Sequence, residues 1–212
     1  MLGKTHFFIG TAAALAVLQP QTVPALVTGA GAAAIGGMIS DIDAGTSQAH
    51  READKIITAT AVVAVVMILA EYKLNLGISR RLKGDSSILR LLAGTVAFLL
   101  ICAYGKQQPH RSFMHSFAAL ALLTACVDVI YPDASAYFAV GFLSHLALDF
   151  FNRKPEKLFW PWKKGFCLGL CSARGLVNRV LMGCGMVLLV VILVLSAPAG
   201  RLLAKIMRAI YG

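Results

Sequence analysis

The sequence predicts an all-α, polytopic membrane bundle of about six to seven apolar helices, and three observations support this. The 212 residues are 58% hydrophobic and 14% charged, with a mean hydropathy of +0.74. Soluble domains are typically about 45–50% apolar and about 25% charged. The apolar residues form blocks near the roughly 20 residues that a helix needs to cross a bilayer. Most of the polar and basic residues fall in the loops between these blocks.

The apolar blocks predict the elements in order: 7–19, 22–39, 56–72, 88–104, 112–131, 135–151 and 177–199. The N-terminal run is expected to be retained as a helix, because no small-x-small cleavage site precedes a hydrophilic domain. The second block carries Gly29, Ala33 and Gly37 at four-residue spacing, a pattern typical of close helix packing. Basic residues after the last block predict a short amphipathic helix at the membrane surface: Arg201, Lys205 and Arg208.

We expect one membrane-embedded domain over residues 1–212, with its chemistry-bearing motifs within 1–165. The net charge of +10 does not predict a nucleic-acid partner. Basic loops beside apolar blocks more often set topology and contact anionic lipid. The five cysteines are expected to be structural, since three lie in apolar blocks and the lone pair Cys167 and Cys171 cannot complete a zinc site.

The segment Gly141–Phe151, GFLSHLALDFF, places two ionisable residues in an apolar helix. His145 and Asp149 are four residues apart and therefore share one helical face. An imidazole and a carboxylate arranged this way can hold one metal ion. Ionisable groups within an apolar segment are costly and indicate function. The alternative is a buried His–Asp pair in a proton pathway.

The sequence SDIDAG follows the second apolar block and contains Asp41 and Asp43. Two carboxylates at a helix end can bind a divalent metal, or one can bind it while the other acts as a base. In an extended segment both would point to one side, whereas in a turn they would diverge. The alternative is a solvated turn with side-chain capping.

The sequence PHRSFMHS opens the fifth block, and Pro109 favours a helix that starts just beyond it. His115 is predicted to be a metal ligand. His110 is a second ligand or a neighbour of the ligands, and binding one ion together with His115 requires His110 to precede the helix. Arg111 would bind a phosphate or carboxylate of a substrate, or act as an interfacial anchor.

Two further histidines receive different interpretations. His6 begins the first apolar block and is predicted to complete the metal site. His50 lies in a polar loop beside Arg51 and Glu52 and is predicted to be solvated.

The number of crossings predicts that all these candidates lie near one membrane face. Two blocks separate His6 from Asp41, and two more separate Asp43 from His110. His115 and Asp149 lie at the two ends of a third antiparallel pair. By this count the candidate face carries twelve of the 20 Lys and Arg residues. An excess of Lys and Arg marks the cytoplasmic side, so the site is expected to face the cytoplasm.

Four motifs in order resemble the YdjM-like family, described as inner-membrane, LexA-regulated, metal-dependent hydrolases. They are an N-terminal histidine, DID after a small-residue helix, HRxFxHS, and GxLSHxxxD followed by a basic loop with Trp160-Pro161. The resemblance implies a bacterial inner-membrane protein of the SOS response. The order Asp…His…HxxxD is also distantly similar to the helical zinc phospholipase C and P1-type nucleases. This chain departs from the family pattern at Ser40, Pro109, Ser112 and Met114.

Together these patterns predict a membrane-bound hydrolase that cleaves a phosphate ester, or a similar bond, of an amphiphilic substrate at the membrane face. The cofactor would be one or two divalent metals, most often zinc in such sites, with manganese or iron also suited. The metal ligands would be His6, Asp41, Asp43, His115, His145 and Asp149. The catalytic residues would be Asp43, Arg111 and His110. The alternatives are a metal or proton transporter and a metal-binding membrane protein without turnover; the oligomeric state is left open.

Overall fold

The fold is all-helical throughout the part of the chain that the computed structural model describes, residues 2–44, 88–172 and 175–201 with 204 and 207. Within these ranges the helices are α1 (Gly3–Leu18), α2 (Val23–Ile39), α3 (Ile88–Gln107), α4 (Phe117–Ile130), α5 (Pro132–Phe150) and α6 (Leu176–Leu195). Short 3₁₀ turns follow α2 and precede α4, at Ser40–Asp43 and Phe113–His115. The predicted all-α class is therefore confirmed for these residues. The predicted block at 56–72 and His50 lie outside the described residues.

Two described helices are long and apolar enough to cross a membrane. They are Val23–Asp43, which combines α2 with the turn after it, and Leu176–Leu195. α1 and α4 are shorter apolar helices. Only 17% of α6 is buried, and it presents Val187, Val191 and Val194 outwards. An outward apolar face of this kind is typical of a helix in contact with lipid, so the described residues support association with a membrane.

Small residues bring α2 into close contact with α5 and α1. A methyl group added to Gly36 would lie 2.2 Å from the Phe138 carbonyl oxygen, and one added to Gly141 would lie 2.2 Å from that of Ala33. A methyl on Gly37 would lie 2.9 Å from the His6 carbonyl oxygen. The small-residue pattern predicted from the sequence is thus used for packing. This close approach holds the end of α2 against α5, where the ionisable residues lie.

A hydrophobic core joins α2, α4 and α5 with the turn before α4. Phe138 and Phe142 of α5 pack with Leu123 of α4 and with Phe113 and Met114 of the turn, and all five are at most 2% exposed. Burial of such side chains is the main favourable term in folding. The core therefore holds the Phe113–His115 turn against the end of the bundle.

The prediction that a helix starts just beyond Pro109 is wrong, because α4 begins at Phe117. The Ser116 side chain accepts a hydrogen bond from the Ala119 amide at 3.2 Å and so caps α4. Arg111 has a φ of 66°, in the left-handed region that a helix cannot use. Arg111 and His115 are therefore not on one helical face. In the predicted amphipathic tail, residue 201 is helical, whereas Lys205 and Arg208 lie outside the described residues.

Candidate metal centre

The predicted site residues come together at one end of the bundle, each at or near the end of an element. His6 lies at the start of α1, His115 lies just before α4, and Asp149 lies at the end of α5. α1 and α4 begin at this end of the bundle and α5 ends there, so the ends that carry the residues meet on one side. The structure brings together six residues of the predicted set: His6, Asp41, Asp43, His115, His145 and Asp149.

Three side chains converge at the centre of this cluster. The Nε2 atoms of His115 and His145 are 3.3 Å apart, and each lies 3.7 Å from Oδ1 of Asp41. Both imidazoles are fully buried. Nδ1–H of His145 donates to the Gly37 carbonyl oxygen at 2.8 Å. That bond leaves the Nε2 lone pair of His145 directed into the cluster, an arrangement common among metal-binding histidines.

His6 and Asp149 form the adjoining wall. Nε2 of His6 lies 3.3 Å from Oδ1 of Asp149, whereas Nδ1 of His6 is buried and has no hydrogen-bond partner among the described residues. The His6 ring stacks on that of His145, with centroids 3.8 Å apart. Oδ2 of Asp149 is 3.8 Å from Nε2 of His115. A buried imidazole nitrogen without a hydrogen-bond partner is unfavourable unless a further group satisfies it.

Asp43 points away from Asp41, because a 3₁₀ turn rather than an extended segment carries them. Its Oδ2 is 3.3 Å from Nδ1 of His115, and its Oδ1 is 2.7 Å from Nδ1 of His110. The Arg111 amide also donates to Asp43 at 3.1 Å. Asp43 therefore orients two histidines by their Nδ1 atoms. This position behind the imidazoles differs from that of Asp41, which faces the Nε2 atoms.

Arg111 contacts the cluster through Asp149. Its guanidinium donates to Oδ2 of Asp149 at 2.5 Å and also to the Lys154 carbonyl oxygen. Nε of Arg111 is buried and has no hydrogen-bond partner among the described residues. In this structure Arg111 thus fixes the Asp149 carboxylate and ties it to the loop after α5.

Three groups within the cluster could each hold a metal ion: His6 with Asp41 and His145, Asp41 with His110 and His115, and His115 with His145 and Asp149. Within each group the ligand atoms lie within 4.8 Å of one another. Three carboxylates, those of Asp41, Asp43 and Asp149, thus lie among buried imidazole nitrogens. A donor set of this kind fits a divalent cation.

The cluster opens toward solvent on one side. The side chain of His110 is 38% exposed and that of Asp41 is 18% exposed, whereas His6, His115 and His145 are fully buried. His110 and Asp41 are therefore the members of the cluster that are accessible to solvent.

Glu156 is a further site residue that the sequence pattern did not single out. It is fully buried in the loop after α5, and neither carboxyl oxygen has a hydrogen-bond partner among the described residues. Burial raises the pKa of the Glu156 carboxyl to about 8; the charge of Asp149 adds to this, while His115 and Arg111 oppose it. In the sequence, only its position could have indicated Glu156 as a site residue: it follows the HxxxD helix and lies in a basic loop with three aromatic residues.

Comparison with protein families agrees with the sequence motifs, whereas two other comparisons found no match. No match was found among curated proteins or among solved structures. One family model, described as YdjM inner membrane protein, matches residues 1–209, nearly the whole chain. This protein therefore belongs to the YdjM inner membrane protein family.

Proposed function

We propose that this protein is a membrane-bound, metal-dependent hydrolase whose divalent cation is held by His115, His145, Asp149 and Asp41. One observation carries the proposal. Nε2 of the buried His115 lies within 3.3–3.8 Å of Nε2 of His145 and of one carboxylate oxygen each of Asp41 and Asp149, and a backbone carbonyl fixes the His145 imidazole. His6, stacked on His145 and 3.3 Å from Asp149, would complete the ligands or hold a second ion. Mixed histidine and carboxylate ligands favour zinc, with manganese or iron as alternatives.

The bound cation would polarise a substrate oxygen and lower the pKa of water to about 7. Side chains of the protein would accept the proton of the attacking water and position the metal ligand and the substrate. His110 is half exposed beside the buried Asp43, which orients it by Nδ1. A histidine held by a carboxylate in this way is suited to accept a proton from water. Arg111 would hold Asp149 in place, and its free Nε–H would meet a phosphate oxygen.

The substrate class follows from the setting of the cluster. The helix ends place it at one end of an apolar bundle, which we propose spans the inner membrane about six to seven times with the site facing the cytoplasm. Phe159 and Trp162 are exposed on the adjacent loop, next to Lys163 and Lys164. Aromatic and basic side chains of this kind favour the lipid head-group region. An amphiphilic phosphate ester is the substrate that fits both the membrane and Arg111.

Metal analysis of the detergent-purified protein tests the site. Wild type is expected to hold stoichiometric divalent metal, and His145→Ala and Asp149→Asn are expected to lose most of it. The matched control is Asp128→Asn, because Asp128 accepts a hydrogen bond from Ser135 at 2.8 Å, where α4 leads into α5. Wild type without metal, or an Asp149 variant that retains as much metal as the Asp128 variant, would refute the site.

Hydrolysis is tested with phosphate esters that carry an alkyl chain, followed by release of alcohol or phosphate. His110→Ala is expected to lower kcat about 10²–10⁴-fold, the usual contribution of a general base. Because His110 is the most exposed member of the cluster, its variant should keep the metal of the fully buried group. A metal-loaded wild type that cleaves no such ester would exclude the hydrolase function.

A further inference from the structure

The loop after α5 folds back over the cluster and places Glu156 beside it. Glu156 and Phe166 exchange two backbone hydrogen bonds, of 3.0 and 2.9 Å. The Lys157 amide donates to the Arg111 carbonyl oxygen at 3.0 Å, and the guanidinium of Arg111 donates to Lys154. The backbone on both sides of Glu156 is therefore tied to the residue that orients Asp149.

The Glu156 carboxyl lies near the candidate ligands but is not one of them. The residues on both sides of it, Lys154 and Lys157, are hydrogen-bonded to Arg111, which places it near the cluster. It nevertheless belongs to none of the three groups whose atoms converge for a metal ion. A fully buried carboxyl that makes no hydrogen bond with a described residue destabilises the fold. Such a costly group at a polar cluster indicates function rather than structure.

We propose that Glu156 is the proton donor of the hydrolysis, delivering a proton to the oxygen of the leaving alcohol. This inference rests on the proposed hydrolase function. The oxygen of water forms a bond to phosphorus, and the bond from phosphorus to the alcohol oxygen breaks. The electron pair of that bond stays on the alcohol oxygen, which takes the proton of Glu156. The proton that the attacking water loses then restores Glu156 by way of His110.

Burial is what makes the carboxyl suitable for this step. Because burial without a hydrogen-bond partner raises the pKa of the carboxyl, Glu156 holds a proton more readily than an ordinary glutamate does. A general acid works best when its pKa lies near the working pH. The loop position also keeps Glu156 near Arg111, the residue that would meet the phosphate, because the next residue, Lys157, is hydrogen-bonded to the Arg111 carbonyl oxygen.

The test compares Glu156→Gln with wild type on two amphiphilic diesters, dodecyl 4-nitrophenyl phosphate and didodecyl phosphate. Nitrophenolate leaves without a proton, whereas an alkoxide needs one. The glutamine variant is expected to lower kcat for the dialkyl ester about 10²–10⁴-fold while nitrophenol release and metal content stay at the wild-type level. Glu156→Asp, which keeps an acid, is expected to recover part of the dialkyl activity.

Four results would overturn the proposal. An equal loss on both esters would assign Glu156 a structural role, and no loss on either would remove it from the reaction. Loss of metal in Glu156→Gln would make Glu156 a ligand. If metal-loaded wild type cleaves neither ester, the hydrolase function itself fails, and the role of Glu156 fails with it.

Discussion

Gly141→Ala tests whether close packing of α2 against α5 holds the metal centre together. The added methyl carbon would lie 2.2 Å from the Ala33 carbonyl oxygen and 2.9 Å from its Cα. Carbon–oxygen contacts between packed elements are normally about 3.3–3.6 Å. The two helices must therefore separate by about 1 Å, because the groups in contact belong to the backbone and cannot rotate away.

Overpacking of this kind destabilises a protein by about 1–3 kcal/mol. In a chain of this size that lowers the midpoint of thermal unfolding by roughly 2–12 °C. The same displacement would act on His145, one turn further along α5, whose Nδ1 donates to Gly37 of α2 at 2.8 Å. We therefore expect weaker metal binding as well as a lower midpoint, measured in detergent by tryptophan fluorescence and metal analysis.

Gly183→Ala is the matched control for this experiment. Gly183 lies in α6, and a methyl group there would have no atom within 4 Å. Because alanine favours a helix over glycine, the control should be neutral or stabilised by up to about 1 kcal/mol. A Gly141 variant that unfolds at the wild-type temperature and keeps its metal would refute the packing argument.

Three further predictions concern single polar residues. Glu156→Gln should remove a pH dependence of the free energy of unfolding. In wild type the protonated carboxyl contributes at most about 5 kcal/mol to this free energy. The contribution is full below pH 4.5 and is lost as the pH rises through about 8. A thermal midpoint that falls equally in both proteins over that range would contradict this. Arg111→Lys should weaken metal binding several-fold, because lysine cannot bridge Asp149 and the loop as a planar guanidinium does; unchanged affinity would contradict it. Asn178→Ala should destabilise the start of α1 by about 1–3 kcal/mol, because the buried Asn178 accepts from Thr5 at 2.9 Å; an unchanged midpoint would contradict it.

Helix periodicity and the antiparallel directions of α1 and α2, and of α4 and α5, were sufficient to gather most of the cluster. His145 and Asp149 share a face because they are four residues apart on a helix, whatever the surroundings. His6 and Asp41 meet because α1 and α2 run in opposite directions and the residues lie at their outer ends. In a regular helix, the face on which a side chain lies follows from its residue number alone.

The conformation of the turn before α4 could not be predicted from helix periodicity. Pro109 favours a helix start, yet the chain makes a left-handed turn at Arg111 and enters α4 only at Ser116. A sequence pattern carries little information about a single positive φ outside glycine. Here the torsion is supported by contacts with residues far away in the chain, namely Asp43 and Lys157.

The sequence by itself determined the all-helical apolar class and the set of ionisable residues that meet at one end of the bundle, because these depend on block length, helical period and alternating direction. Only the tertiary structure decided what each group faces. It turned His145 toward the cluster by a bond to Gly37, placed Asp43 behind His110 and His115, and buried Glu156 beside them. Those orientations arise from backbone approach and loop folding between distant segments, which no local spacing encodes.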